Sequence, residues 1–581
     1  MSMIIRKDIA DFFNLEAEES RKKWNDLMKL TIEERVHKRK AIENVYLDKE
    51  FSGYAEGKNL FKIIVKENLS DFSEGECLWL HTSNNLDVLK GAINRFEGDD
   101  IILEVFPPDV PNYLDRFYNV SLILDKDCLD LRKHVYDKFL LELPLENEFW
   151  TGNILNIKSE PKFNNLSEVE AEVDDTIKNF ELNLQDSQRE AIIKSLAAKD
   201  YYLIQGPPGT GKSFVLSYII LEELAYFKHK VIVIGPNHLA INNALIATLK
   251  SHPPYSAALH KVGPKYNSPK CVIKYNGEDK EINNMFAVNA YTANNTEYCW
   301  CIGLTPHSLY TSKARDLECD TLIIDEAGQM TIPLALMGMI KAKKVIFAGD
   351  YKQLPPIVMS DKISDKMKQS VFQCLITEDN CTMLDVSFRM CKTICNFVSD
   401  LYYDGLLKPY NQTDGNKIIC SDSLYSFDTP VLIKHIEDNN GKQYSEKETE
   451  FITRLVAEYL QKGLEASEIG ILSPFRAQAT AIRKSIRKSK CIDEKHKDLI
   501  VSETVDKMQG QEKEVIIFSL TAGDEKYIKE MADFIFNPNK LNVAFSRAKS
   551  KLIIVGNIEQ IKQTGIPHMD KIIKSQYAKI M

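Results

Sequence analysis

The sequence predicts an α/β protein with two parallel-sheet domains in tandem, preceded by a helical stalk that carries a small β-barrel. Three observations support this fold class. A strand–turn–helix pattern surrounds a glycine-rich stretch at 203–213, and short apolar runs ending in a polar or glycine residue recur between 231 and 349 and again between 431 and 557. Runs of this kind are typical of parallel strands buried on both faces. Between 46 and 126, shorter strand-like runs are separated by turn residues, as in a small barrel.

Composition limits the classes of function. The chain has 581 residues, 44% hydrophobic and 27% charged, with 74 Lys and Arg against 83 Asp and Glu for a net charge of −9. A uniformly basic, nucleic-acid-binding surface is therefore excluded, whereas a local basic groove is compatible with this net charge. No apolar run approaches the ~18 residues of a membrane span, so we expect no membrane partner. The start of the chain lacks a signal-peptide pattern, which makes the cytoplasm the default location, or the nucleus in a eukaryote.

The N-terminal region is predicted to be an appended module. Residues 1–45 are highly charged with sparse apolar positions, typical of stalk helices, and Thr31-x-x-Glu34 has the spacing of a capping box that starts a helix. Residues 46–126 are predicted to form the small β-barrel, and 127–145 a returning stalk helix that Pro144 ends. Nothing in this module indicates catalysis. It is either a packing module or one wall of a nucleic-acid channel.

The remaining chain divides into the two α/β domains. Residues 146–378 form the first, with a polar, acidic linker at 160–178 and a short insertion at about 250–298, where the strand–helix pattern lapses. Residues 379–581 form the second, which has no glycine-rich loop of its own. Because ligands of parallel sheets bind at the carboxyl ends of the strands, we expect one site in the cleft between the domains.

The glycine-rich stretch has the spacing of a phosphate-binding loop. Gly206-x-x-x-x-Gly211-Lys212-Ser213 follows a strand and opens a helix, so backbone amides can close on phosphates at the positive end of the helix dipole. Lys212 can reach the β- and γ-phosphates, and the Ser213 hydroxyl can ligate Mg²⁺. The sequence therefore predicts a nucleotide site with Mg²⁺. The predicted nucleotide-binding residues of this loop are Gly206, Pro207, Pro208, Gly209, Thr210, Gly211, Lys212 and Ser213.

Polar residues in both domains supply the predicted catalytic chemistry. Asp325 and Glu326 end the TLIID strand; the first is placed to hold Mg²⁺ and the second to activate the attacking water. Gln353, in the loop after the next strand, can hydrogen-bond the γ-phosphate and the water. Arg389 and Arg547 of the second domain can stabilise transition-state charge from across the cleft. On spacing alone, surface ion pairs are an equal alternative for these arginines.

Seven motifs together resemble one known family. They are GPPGTGKS, VIGPNHLAINN, IIDEAGQM, AGDYKQLPP, SFRM, TVDKMQGQEKEVII and LNVAFSRAKSKLIIVGN, in that order, within roughly residues 180 to 560. The chain resembles the superfamily 1B helicases of the Upf-like group, which includes the nonsense-mediated-decay and immunoglobulin-mu-binding helicases. The resemblance implies that both α/β domains are RecA-like. It also implies that the N-terminal module corresponds to the stalk and barrel of that group.

The resemblance implies roles for matching positions. Gln188 would read the adenine edge, and Phe388, where the group usually has tyrosine, would keep a stacking face but lose a hydroxyl contact. Glu512, with Gly510 before it, would bind the ribose hydroxyls, and the two arginines would contact the γ-phosphate. The resemblance also implies that four positions contact the nucleic-acid backbone. Short hydroxyl and amide groups suit this role, since they bind phosphate and sugar without reading bases. The four positions are Pro236, Asn237, Thr305 and Thr504.

The expected function is an ATP-dependent helicase or translocase on single-stranded nucleic acid, RNA or DNA; the resemblance implies 5′-to-3′ movement. The alternative is a nucleotide-dependent clamp or remodelling ATPase that binds nucleic acid with little unwinding. A fused nuclease is not expected, because only 24 residues follow Asn557 and the first 150 lack a carboxylate–lysine constellation. We expect a monomer whose partners are single-stranded nucleic acid and, in some settings, a protein activator.

Overall fold

In the computed structural model, a closed antiparallel barrel and two parallel sheets follow one another along the chain, which confirms the predicted fold class. No helix in the described part of the chain combines the length and apolar composition that a bilayer span requires. The structure describes the chain from residue 6 to residue 581 except for residues 52, 56–57, 67, 69, 71, 73–75, 83–87, 106–113, 128–132, 144–149, 151–154, 156–159, 180–182, 252–258, 263–270, 276–277, 283–285, 289–298, 312–313, 315, 411–420, 509 and 522.

The N-terminal module combines stalk helices with a barrel. Its elements are α1 Arg6–Met28, α2 Ile32–His37, β1 Ala41–Leu47, β2 Gly53–Ala55, β3 Lys58–Ile64, β4 Cys77–His81, β5 Val88–Glu97, β6 Asp100–Val105, β7 Leu122–Lys126 and α3 Lys133–Glu142. The order β1-β7-β4-β5-β6-β3 closes into a ring because β1 also pairs with β3, and β2 pairs with the N-terminal half of β3. Thr31 and Glu34 form the predicted capping box at the start of α2.

The barrel begins earlier than the sequence predicts. β1 starts at Ala41, inside the range 1–45 predicted as stalk helices, and α2 has only 6 residues. Ile42, Val45 and Leu47 are buried in the barrel, and the pairings of β1 close the ring. A register shift between Ile42 and Val45 breaks the two-residue alternation that identifies a strand, so the local pattern did not reveal β1.

The stalk packs on the first α/β domain. The Phe13 ring of α1 stacks on Tyr136 of α3 with ring centroids 4.0 Å apart, and Phe139 meets Tyr310 of the first domain edge to face at 5.4 Å. Phe13 and Phe139 belong to the same hydrophobic core as Phe347 of the first sheet. Burial of these rings anchors the module to the domain.

The first α/β domain contains a parallel sheet between two hydrophobic cores. Its elements are α4 Leu166–Asn179, α5 Asp186–Ala197, β8 Tyr201–Gln205, α6 Lys212–Ala225, β9 Lys230–Ile234, α7 His238–Ser251, β10 Leu259–Val262, β11 Cys271–Tyr275, β12 Glu278–Ile282, β13 Phe286–Val288, β14 Trp300–Gly303, β15 Cys319–Ile324, α8 Ile332–Met339, β16 Ala342–Gly349, α9 Asp365–Lys368, α10 Val371–Leu375 and β17 Cys381–Met383. The sheet order is β13-β10-β14-β9-β15-β16-β8-β17, and every neighbouring pair is parallel. Consecutive residues of β8 face different cores, Leu203 one and Ile204 the other, which explains the continuous apolar runs.

Three predicted features of this domain are wrong. The stretch 160–178, predicted as a linker, contains most of α4, whose Val169 and Val173 pack into the core. Within 250–298, predicted as an insertion, β10 and β13 belong to the main sheet, whereas β11 and β12 form a separate hairpin. β17 follows residue 378, the predicted end of the domain, yet pairs with β8. Each of these elements is short or polar, so tertiary pairing outweighs a weak local pattern.

The second α/β domain contains a smaller parallel sheet. Its elements are β18 Val386–Ser387, α11 Lys392–Tyr402, β19 Lys408–Pro409, β20 Val431–His435, α12 Glu446–Gln461, β21 Ile469–Ser473, α13 Arg476–Lys488, α14 Glu494–Lys497, β22 Val501–Thr504, β23 Lys513–Ser519, α15 Glu525–Glu530, α16 Ala532–Ile535, α17 Pro538–Phe545, β24 Ala548–Gly556, α18 Ile558–Thr564, α19 Pro567–Ile573 and β25 Ala578–Ile580. The sheet order is β22-β21-β23-β24-β20-β25, and β18 pairs with β19 outside it. The four central strands were predicted; the edge strands β22 and β25 were not, because they are short.

Candidate active site

A glycine-rich turn joins β8 to α6 at the carboxyl edge of the first sheet. Gly209 and Gly211 have φ angles of +75° and +81°, which residues with a Cβ rarely adopt. A Cβ on Gly206 would lie 2.9 Å from the Cβ of Lys212, so the turn closes tightly on the start of the helix. Backbone amides and the positive end of the α6 dipole are thereby brought together, as an anion site requires.

Lys212, the first residue of α6, is held by two carboxylates. Its Nζ lies 2.7 Å from Asp325 Oδ1 and 2.7 Å from Glu326 Oε1. Burial lowers the pKa of Lys212, but the two carboxylates outweigh this effect and the pKa is raised. Burial also raises the pKa of Glu326, which nevertheless falls below its ordinary value because Lys212 is adjacent. The structure thus brings together the predicted phosphate-binding lysine and the acidic pair after β15.

Glu326 has a strained backbone. Its φ angle is +55°, in the left-handed region that non-glycine residues rarely enter. The Glu326 amide donates to Asp325 Oδ1 at 2.8 Å, and Gln329 Nε2 donates to Glu326 Oε2 at 2.9 Å. These contacts hold the carboxylate in place. Such strain persists where the surroundings impose it, and it concentrates at functional sites.

Gln353 lies in the loop after β16, where a buried carboxylate collects several donors. Asp350 accepts hydrogen bonds from Gln353 Nε2 at 2.9 Å, Gln205 Nε2 at 3.2 Å, the Lys352 amide at 3.1 Å and the Tyr403 hydroxyl at 2.6 Å. Burial raises the pKa of Asp350 against the opposing effect of these donors. Asp350 therefore orients Gln353. Tyr403 lies in no motif, and sequence reasoning missed it.

The backbone around Arg389 rests on the glycine-rich turn. The Phe388 amide donates to the Gly209 carbonyl at 2.8 Å, and the Ser387 hydroxyl donates to the Pro208 carbonyl at 2.9 Å. A Cβ on Gly209 would come within 2.5 Å of the Arg389 Cβ, so glycine is required for this approach. The second domain therefore touches the turn of the first directly beside a predicted arginine.

Arg547 is the more deeply buried of the two arginines. It is 4% exposed, and its Nε has no hydrogen-bond partner among the described residues. Burial lowers the pKa of Arg547 to about 10; the charge of Arg389 adds to this effect, and that of Glu326 opposes it. A buried guanidinium with an available donor close to Glu326 is placed to bind an anion in the cleft.

Two residues predicted to bind the nucleoside already have partners within the protein. Gln188 Nε2 donates to the Thr210 carbonyl at 3.0 Å, which ties α5 to the turn. The Glu512 carboxylate accepts from Arg389 Nε at 2.5 Å and pairs with Lys549 Nζ at 2.8 Å. Contact with a nucleoside would require each side chain to exchange these partners, and both roles stay predictions.

Phe388 presents an exposed aromatic face beside the turn. Its ring centroid lies 4.7 Å from that of Tyr410, and both rings are partly exposed. The Tyr410 amide donates to the Ser387 carbonyl at 2.9 Å, which holds the two rings together. Gly510, with a φ angle of +78°, faces the first domain, because a Cβ there would be 3.3 Å from Leu239. Sequence reasoning missed Tyr410, which β19 brings back beside Phe388.

The four residues predicted to contact nucleic acid lie at carboxyl ends of strands. Pro236 and Asn237 follow β9, Thr305 follows β14, and these two strands are neighbours in the first sheet. Thr504 ends β22 of the second domain. The Asn237 side chain accepts a hydrogen bond from the first turn of α7. The structure therefore groups three of the four positions and places the fourth on the other domain.

The site fits a nucleoside triphosphate with a divalent cation. A lysine at a helix N-terminus, left-handed glycines and a buried guanidinium with an available donor suit phosphate oxygens. Ser213 lies in the first turn of α6 and Asp325 directly follows β15, and their hydroxyl and carboxylate oxygens are ligands that suit Mg²⁺.

Comparison with known proteins identifies one family. Two family models, each described as an AAA domain, match residues 183–287 with 289–361, and residues 367–559. The chain is 23% identical over 589 residues to an ATP-dependent helicase of Methanocaldococcus jannaschii described as uncharacterized, covering 86% of this chain and 85% of that protein. It is 26% identical over 545 residues to the DNA polymerase alpha-associated DNA helicase A of Schizosaccharomyces pombe, covering 82% and 79%. It is 27% identical over 427 residues to the ATP-dependent helicase NAM7 of Saccharomyces cerevisiae, covering 66% and 42%.

The fold and the site define a class of protein, the P-loop nucleoside triphosphatases with two RecA-like domains and a site in the cleft between them. Within this class, the chain belongs to the superfamily 1B helicases of the Upf-like group, as its seven motifs implied. It is by family an ATP-dependent nucleic-acid helicase.

Proposed function

We propose that this protein couples ATP hydrolysis in the cleft to 5′-to-3′ movement on single-stranded nucleic acid, RNA or DNA, and to strand separation. One observation carries the proposal: acidic residues and the lysine of the first domain meet the arginines of the second at one glycine-rich turn. Because both domains complete the site, hydrolysis depends on their closure. A motor requires this dependence.

Each residue of the first domain has a role in this proposal. Lys212 binds the β- and γ-phosphates, and Glu326 orients the attacking water and takes its proton. Gln353, directed by Asp350, hydrogen-bonds the γ-phosphate and that water. Ser213 and Asp325 would hold Mg²⁺, which when bound neutralises phosphate charge.

The second domain completes the site. Arg389 and Arg547 stabilise the charge that develops on the transferred phosphoryl group. Phe388 supplies an aromatic face for the base, while Gln188 of the first domain and Glu512 bind the adenine edge and the ribose after exchanging their present partners. The affinity for a base then depends on stacking area, which two adjacent rings enlarge.

In this proposal the nucleic-acid strand crosses the carboxyl edges of both sheets. Pro236, Asn237 and Thr305 contact the strand from the first domain, and Thr504 from the second. Contacts confined to the sugar–phosphate backbone allow movement over any sequence. The name of the Schizosaccharomyces pombe relative specifies DNA. For this protein we propose movement on single-stranded RNA or DNA, and the hydrolysis assay compares the two. A monomeric state, a protein activator and a cytoplasmic location stay predictions.

Steady-state ATP hydrolysis without polymer, with single-stranded RNA and with single-stranded DNA tests the proposal, with Lys212→Ala as the control. Stimulation by at least one polymer is expected, together with loss of hydrolysis in the variant. Duplexes with a 5′ or a 3′ single-stranded tail then test polarity, and only the 5′-tailed duplex should be unwound. Stimulated hydrolysis without unwinding of either duplex would instead support the clamp.

A further inference from the structure

The loop at residues 350–354 belongs to the first domain but is held by the second. It follows β16, a strand that pairs with β15 and β8 in the first sheet. At its other end, Leu354 is 7% exposed and packs in the hydrophobic core of the second domain with Met390 and Leu541. The loop that contains Gln353 is therefore anchored in both domains.

Two asparagines of helix α17 hydrogen-bond to the backbone of this loop. Asn539 Nδ2 donates to the Tyr351 carbonyl at 3.0 Å and also to the Gln353 carbonyl. Asn542 Nδ2 donates to the Lys352 carbonyl at 2.8 Å. Three consecutive carbonyls of the loop thus accept hydrogen bonds from one face of one helix, since residues three apart share a face.

Tyr403 closes the network from a second element. It directly follows α11, is 2% exposed, and donates through its hydroxyl to Asp350 Oδ2 at 2.6 Å. The same hydroxyl accepts from Asn542 Nδ2 at 2.8 Å, so both elements of the second domain act on one carboxylate. Asp350 in turn accepts from Gln353 Nε2 at 2.9 Å. A continuous chain of hydrogen bonds therefore links α17 to the Gln353 side chain.

The same helix also sets the position of Arg547. α17 ends at Phe545, and the Arg547 amide donates back to the Ala544 carbonyl at 3.4 Å. Arg547 follows the last residue of α17 by two positions and is hydrogen-bonded to its last turn, so we expect a displacement of Asn542 to shift Arg547 as well. Gln353 and Arg547 are on different domains, yet both are fixed relative to α17.

We propose that Tyr403 and Asn542 are positioning residues that lock the 350–354 loop onto α17, so that Gln353 and Arg547 reach the γ-phosphate as one unit. The inference rests on the proposed function, because it concerns the same hydrolytic step. In this proposal neither residue touches the nucleotide. They align Gln353 and Arg547, which contact the γ-phosphate, and a misplacement of about 1 Å can lower a rate about 100-fold.

The test compares Tyr403→Phe with Tyr402→Phe. The control residue is adjacent, also buried, and its hydroxyl bonds with His568 within the second domain at 3.3 Å. Basal ATP hydrolysis and the stoichiometry of ATP binding are measured for both variants. We expect Tyr403→Phe to lower kcat about 10- to 100-fold, with KM and stoichiometry changed less than about twofold. Tyr402→Phe should change all three less than about twofold; equal effects of the two variants would overturn the proposal.

A double-mutant cycle separates positioning from general destabilisation. On a Gln353→Ala background, Tyr403→Phe should lower kcat clearly less than it does in the wild type, because the part of its effect that acts through Gln353 is already lost and only the part that acts through Arg547 remains. A full additional loss would show that Tyr403 acts independently and would overturn the proposal. Asn539→Ala, at a partly exposed position, provides a second variant that should fold and should lower kcat in the same way. Lack of polymer stimulation in the wild type would count against the proposed function alone, since this cycle uses basal hydrolysis.

Discussion

Removal of the Lys212 charge tests how strongly its ion pairs stabilise the first domain. Lys212→Met keeps an unbranched stem beside Gly206 but removes the ammonium that lies 2.7 Å from each of Asp325 and Glu326. The side chain of Asp325 is 3% exposed and that of Glu326 27%, so water compensates the second better than the first. Breaking a buried ion pair by removing one partner costs about 3–5 kcal/mol. Because the Glu326 carboxylate is partly exposed, we expect the lower end of this range, a loss of about 3 kcal/mol in the free energy of unfolding. For a domain of this size, that lowers the melting temperature by about 10 °C.

The pH dependence of this loss has a definite sign. In the wild type the pKa of Lys212 is raised and that of Glu326 is lowered, so their interaction stabilises the fold above the ordinary glutamate pKa of 4.5 and below the ordinary lysine pKa of 10.5. In Lys212→Met, two adjacent carboxyl groups, that of Asp325 buried and that of Glu326 partly exposed, lose their counter-charge, which raises their pKa values. Protonation then relieves their repulsion. The difference in melting temperature between wild type and variant should therefore shrink as the pH falls from about 8 to about 5.5.

Scanning calorimetry without nucleotide at both pH values measures these differences. Lys343→Met is the matched control, because Lys343 pairs with Asp320 at a similar 2.8 Å but is 81% exposed. An exposed ion pair contributes little, so the control should melt close to the wild type. Adding Glu326→Gln to Lys212→Met should restore part of the lost stability. If Lys212→Met melts as the control does at about pH 8, the ion pairs do not stabilise the domain.

Three further predictions concern single groups. Glu326→Gln should bind ATP and nucleic acid normally but hydrolyse ATP about 10²- to 10⁴-fold more slowly in single-turnover assays, since it removes the general base; normal turnover would mean that another group activates the water. Gly209→Ala should weaken ATP binding in titrations, because its Cβ would lie 2.5 Å from the Arg389 Cβ. Gly565→Ala, at φ +65° with no atom within 4 Å of the new Cβ, should cost only about 1 kcal/mol and leave ATP binding unchanged. Burial raises the pKa of Glu448 to about 7, so its contribution to stability is present below the ordinary pKa of 4.5 and is lost as the pH rises through 7. Urea unfolding of Glu448→Gln should lose this pH dependence, which amounts to about 3 kcal/mol in the wild type.

Local patterns were sufficient for the central strands and for the phosphate-binding turn. β20 and β21 have the predicted bounds, and the turn lies between β8 and α6 as its glycine spacing indicates. The patterns failed at β1, α4, β10, β17 and both edge strands of the second sheet. These elements are interrupted by a bulge, rich in charge, or only three to seven residues long apart from α4. Each becomes recognisable only when its partner strand or core is present.

The motifs predicted which residues supply the chemistry of the site, but not which groups those side chains contact. Lys212 and Glu326 meet because strands β8 and β15 end at one edge of the same sheet. By contrast, Gln188 and Glu512 bond within the protein to groups that their motifs do not specify. Spacing from a strand end determines which residue faces a ligand, whereas the partners of a side chain depend on what packs against it.

The sequence by itself determined the fold class, the nucleotide-binding turn, the acidic pair and the family, because each is encoded in a short segment with a fixed residue spacing. Only the tertiary structure decided that the 350–354 loop is held by α17 and Tyr403, that Tyr410 lies beside Phe388, and that β17 completes the first sheet. These contacts join residues far apart in the chain. Their geometry follows from how two domains pack, and no local pattern of hydrophobicity or turn residues encodes it.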